Sequence, residues 1–95
     1  MKLPQEFEIQ EGVEKLLEKR ELFPFMVFYT SKKDSDTLDT GVLGISFYLQ
    51  EDLEELLTII DYKSICDKSG YVVVPEYNTL IITSGSGIID LWSKL

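Results

Sequence analysis

Histidine is absent from all 95 residues and Cys66 is the only cysteine, so the usual nucleophile–base pairs and nitrogen- or sulfur-rich metal shells lack their components. A thiolate at Cys66 would need a nearby cation to lower its pKa, and Lys63 and Lys68 are the candidates closest in sequence. An inert, half-buried thiol is the plainer expectation. One cysteine also cannot close an intramolecular disulfide, which favours a reducing, cytoplasmic setting.

The remaining chemistry belongs to carboxylates, hydroxyls and backbone amides. Asp34, Asp36 and Asp39 begin like a calcium loop, but Leu38 falls at its fifth position, Asp39 replaces the sixth-position glycine and Ile45 replaces the closing glutamate. A solvated loop balanced by Lys32 and Lys33 is expected, with no metal site. Thr83-Ser84-Gly85-Ser86-Gly87 has the composition of a phosphate cradle ahead of a helix. No lysine follows at the P-loop position and the order of glycines does not fit the dinucleotide fingerprint. Ser86 as a helix N-cap, with the glycines as a turn, explains the same letters. Ligand binding by Ser84, Gly85, Ser86 and Gly87 is the alternative. No catalytic set and no cofactor site emerge, so a non-enzymatic role is expected.

One charge pattern is unusual. Glu51, Asp52, Glu54, Glu55 and Asp61 accompany the Leu53, Leu56, Leu57 and Ile60 stripe, and no basic residue shares that segment. Glu51 and Asp52 sit in the first helical turn, where the helix dipole favours acids. Glu51 and Glu55, four residues apart, repel each other, whereas a solvated helix gains from mixed signs at that spacing. These five acids form either an ordinary solvated face or a docking surface for a basic partner. Arg20 is the other anomaly, because a helix continuing through it would place it inside an apolar stripe.

Several elements must position these groups. Val13, Leu16 and Leu17 share a face of a short amphipathic helix over Gln10–Leu22, ended by Phe23-Pro24. Phe25–Thr30 and Val42–Leu49 have the β-branched and aromatic character of strands, joined antiparallel across the polar 31–40 loop. In the second strand Leu43, Ile45, Phe47 and Leu49 form the candidate core face. Gln50–Asp61 is the clearest helix. Tyr71–Pro75 and Thr79–Thr83 flank a turn led by Pro75 and make a hairpin, and Ile88, Leu91, Trp92 and Leu95 recur at helical spacing to the last residue.

The predicted fold class is α+β, a single domain over residues 1–95, with one antiparallel sheet of four to five strands and two to three helices mainly on one face. Its order is α-β-β-α-β-β-α. An extra N-terminal strand at Glu6–Ile9 would make the first six elements read β-α-β-β-α-β, the ferredoxin-like order, and without it the order approaches profilin-like or longin-like shapes.

Hydrophobic residues at 44% and charged ones at 27% place the chain among globular domains, and its net charge of −8 disfavours nucleic acid and anionic lipid. No stretch is apolar enough to span a bilayer, and the first residues lack the apolar run of a signal peptide. The leading expectation is a small acidic interaction module, an inhibitor, immunity-type factor or adaptor, that docks a basic protein. The alternatives are a small-molecule regulatory domain using the Ser/Gly loop 83–87, or a structural subunit assembling through a sheet edge, with a homodimer compatible with either.

Overall fold

The computed structural model describes residues 6–30, 41–62 and 70–95. Among them the chain runs α1 (Glu6–Lys19), β1 (Pro24–Thr30), β2 (Val42–Phe47), α2 (Gln50–Ile59), β3 (Tyr71–Val74), a 3-10 turn (Pro75–Tyr77), β4 (Thr79–Ile82) and α3 (Gly85–Lys94). This is the α-β-β-α-β-β-α order of an α+β fold. The four strands form one antiparallel sheet in the order β1-β2-β4-β3.

The extra strand expected at Glu6–Ile9 is instead the first turn of α1. Ile9, Val13 and Leu17 recur every four residues and are all fully buried, so Ile9 extends a helical stripe that an extended chain would have broken. The ferredoxin-like order falls away with it. Helix α1 also ends three residues earlier than expected. Glu21 takes a left-handed conformation (φ 61°), the Leu22 amide donates to the Leu17 carbonyl and the Glu21 amide to the Glu18 carbonyl, both at 2.9 Å. That is a Schellman closure, sealed by the buried pair Leu17 and Leu22. Arg20 is thereby lifted out of the apolar stripe. It is exposed, and its Nη2 donates to the Lys94 carbonyl at 3.1 Å, which ties the end of α1 to the end of α3.

Strand alternation divides the sheet into two unlike faces. Val27 and Tyr29 of β1, Leu43, Ile45 and Phe47 of β2, Tyr71 of β3, and Leu80 and Ile82 of β4 join the buried residues of all three helices in one core. Leu49, expected to continue that face, is 55% exposed, because β2 ends at Phe47 and Leu49 becomes the N-cap of α2. The opposite face carries two rows of aligned residues, Phe28–Gly44–Ile81–Val72 and Met26–Ser46–Thr79–Val74. Ser46 Oγ and Thr79 Oγ1 share a buried hydrogen bond of 2.8 Å, which satisfies the two polar groups of the second row.

Helix α3 closes the helical layer. Its N-cap is Ser84, whose hydroxyl accepts from the Gly87 amide at 3.1 Å; the expected cap, Ser86, lies inside the helix, because the extended residue that starts the turn is Ser84. Ile88 and Leu91 are fully buried, and Trp92 lies directly over Gly12, where an added Cβ would fall 2.3 Å from the indole. Lys94 Nζ donates to the carbonyl of Ile60 at 3.1 Å, placing a cation at the C-terminus of α2, which has no basic residue of its own there.

Tyr71 joins the sheet to α3 through its hydroxyl, which donates to the Gly87 carbonyl at 2.8 Å beside Asp90. Burial first, then the Asp90 carboxylate, pushes its ionisation above the ordinary tyrosine value of about 10. A raised folded-state pKa means that this stability is complete below pH about 10 and is lost as pH climbs past it. Tyr71→Phe is expected to cost about 1 kcal/mol at neutral pH through the lost hydrogen bond. It should also flatten the alkaline fall in melting temperature, and parallel melting curves for the two proteins above that pH would contradict the assignment.

Candidate functional site

Helix α2 is fixed from below by Leu53, Leu56 and Ile60, all buried. At 100° per residue these occupy one side of the helix, and the expected acids fall on the rest of its circumference. Glu51, Glu54, Glu55 and Asp61 are exposed, and Asp52 is half-buried on the flank nearer the core. The first turn has no side-chain cap, since Leu49 has no oxygen to offer, and Glu51 and Asp52 compensate by placing negative charge against the helix N-terminus.

The five carboxylates do not all line one groove. A groove of about 500 Å³ runs along the C-terminal half of α2, lined by Glu54, Leu57, Thr58, Asp61 and Tyr62. Of the five acids it gathers Glu54 and Asp61, leaving Glu51 and Glu55 on the outer face and Asp52 on the far flank. Glu54 lies within α2 and Asp61 lies just past its C-cap, Ile60, and both line the groove. Leu57, expected in the core stripe, is only half-buried and supplies the apolar floor between them, because its wheel position falls at the stripe's edge. Tyr62 adds an aromatic wall that helical spacing alone did not single out; an aromatic just past two carboxylates on one face was the available signal.

Local bonding sets the Glu54 end. Gln50 Nε2 donates to Glu54 Oε1 at 3.2 Å, and Thr58 Oγ1 donates to the Glu54 carbonyl at 3.0 Å. Both contacts hold the helix turn while leaving Glu54 exposed. At the other end Asp61 adopts a left-handed backbone (φ 53°), the position where helices favour glycine. It also puts an acid at the negative end of the helix dipole. Asp tolerates that conformation better than most residues, and Lys94 at the neighbouring Ile60 carbonyl offsets the charge.

The Ser/Gly segment is engaged internally. Ser84 Oγ and the Gly87 amide bond to each other, the Gly87 carbonyl accepts from Tyr71, and a Cβ on Gly87 would come within 2.8 Å of Ile82. The side chains of Gly85 and Ser86 lie outside the described residues, as do Cys66 with Lys63 and Lys68, and the 31–40 loop with Asp34, Asp36 and Asp39. Among the described residues no group of three or more acids or cysteines is placed to hold a metal ion, and no helix is long and apolar enough to cross a membrane. Strand β3 lies at one edge of the sheet, as assembly through the Tyr71–Thr83 hairpin would require. No family model, curated protein or solved structure matches the chain.

Proposed function

We propose that this chain is a small protein-interaction domain of the inhibitor or adaptor kind, which docks a basic surface of another protein through the α2 groove. The observation that carries it is the pairing of Glu54 and Asp61 across an apolar and aromatic floor, on a helix with no cation of its own. A lysine or arginine has the matching chemistry. Its aliphatic stem lies along Leu57 and Tyr62 while its charged head meets a carboxylate. Two acids along one groove suit a segment that bears more than one cation. Glu51 and Glu55, further out on α2, strengthen the long-range field that steers such a partner in.

The test is capture on the immobilised native chain from its source lysate at low and high salt. A basic protein retained at low salt and released at high salt is expected, since exposed charge pairs are screened. Retention that ignores salt would contradict the reading.

A further inference from the structure

We infer that the helix-free face of the sheet is a self-association surface, on which a second copy of this chain packs sheet against sheet. No described helix lies on this face, and its two rows, Phe28–Gly44–Ile81–Val72 and Met26–Ser46–Thr79–Val74, contain no charged residue. Met26 and Val72, at opposite edges of the sheet, are 46% and 47% exposed. Phe28 lies flat over Gly44, where a Cβ would meet its ring at 2.1 Å, and Ser46 and Thr79 satisfy each other, so the centre of the face is level and uncharged. The face is bordered by Phe25 and Tyr48, an edge-to-face pair 5.1 Å apart whose side chains are themselves 59% and 71% exposed.

Charge selects the occupant. A basic partner has no acid to meet here, and nucleic acid or anionic lipid has no cation. A second copy brings an identical uncharged face, the isologous contact of a two-fold dimer. Its net charge of −8 does not forbid the approach. In a face-to-face pair the helical layers lie outermost, so the two α2 helices stand about 30 Å apart at about 10 Å per layer. That is well beyond the Debye length of about 8 Å at physiological salt.

Area sets the size class of the contact. Four strands about 4.8 Å apart and roughly 13–23 Å long give a plan area of about 350 Å². The Phe25–Tyr48 pair adds most of two aromatic surfaces of about 200 Å² each. The sum, on the order of 600 Å² per copy, is at the low end of specific interfaces, the class of weak and transient contacts. Both copies keep the α2 groove facing outward, so dimerisation is independent of the docking proposed above and makes the protein bivalent when both operate.

Sedimentation equilibrium of the full chain over a wide concentration range tests this. The mass should rise toward that of two chains. Met26→Lys and Val72→Lys, on opposite edge strands, should each raise the dissociation constant at least about tenfold by burying an unpaired charge. In the wild-type protein the Met26 and Val72 methyl resonances should move with concentration while those of Leu57 stay fixed, a readout that needs no variant to fold. A monomer at every concentration would overturn the inference. So would a dimer weakened by only one of the two variants, which would mean pairing along a single sheet edge.

Discussion

Leu56→Ala is expected to lower the unfolding free energy by about 3 kcal/mol, whereas Leu57→Ala, one residue along the same helix, should cost under about 1 kcal/mol. Leu56 is fully buried among the core residues, so its removal loses transfer free energy and leaves a cavity that the sheet cannot collapse into. A small domain has a net stability of only about 5–15 kcal/mol, and for one of this size each kcal/mol moves the melting temperature by about 4–8 °C. The Leu56 variant should therefore melt at least about 12 °C below the parent. Leu57 lines the groove and is half-buried, so its truncation should weaken partner binding more than folding. Thermal unfolding and binding measured on both variants separate the two roles, and equal losses of stability would show that Leu57 belongs to the core.

The second large effect concerns charge. Glu54→Lys combined with Asp61→Lys replaces both groove carboxylates by cations and should weaken a basic partner about a hundredfold or more, since attraction becomes repulsion at two contacts. Both side chains are exposed, so the fold should survive and circular dichroism should not change. Asp61→Gly tests that acid on its own. The relief of the left-handed backbone is offset by loss of the contact Asp61 makes, so stability should change by under about 1 kcal/mol while binding falls. A protein that kept its affinity would remove Asp61 from the site.

Much of this architecture is legible from periodicity. The α2 stripe, the hairpin turning at Pro75 and the helical spacing of Ile88, Leu91 and Trp92 each depend on side chains near in sequence. What periodicity missed depends on backbone conformation or long-range contact. Glu21 closes α1 without a glycine, so no residue type announced the Schellman turn. The stripe through Ile9 could be joined to Val13 and Leu17 only by recognising that Gln10, Glu11 and Gly12 separated turns of one helix rather than bounding a strand. Ser84 and Ser86 are equivalent as letters, and only the extended backbone at Ser84 decides which one caps α3. Arg20 and Lys94 find carbonyls 74 and 34 residues away, a separation beyond any local pattern.

The acids of the candidate site were likewise legible as a one-signed helix, but not which of them line the groove. Five carboxylates follow from the sequence; the groove takes in Glu54 and, past the C-cap of α2, Asp61, with Tyr62 beside them. Helix α1 provides an internal contrast. Its Glu11, Glu14 and Glu18 are interspersed with Lys15 and Lys19, the mixed-sign pattern of a surface that only needs to be soluble.

That contrast defines the most direct test of the α2 groove as a docking site for basic segments. A short peptide with two lysines, otherwise neutral, is titrated into the isotopically labelled chain while backbone amide resonances are followed. The amides of Glu54, Thr58, Asp61 and Tyr62 should shift together and saturate with one affinity, while those of Glu11, Glu14 and Glu18 remain in place. Shifts of equal size and affinity on α1, or none on α2, would show that the acids of this helix confer net charge alone and would contradict the groove.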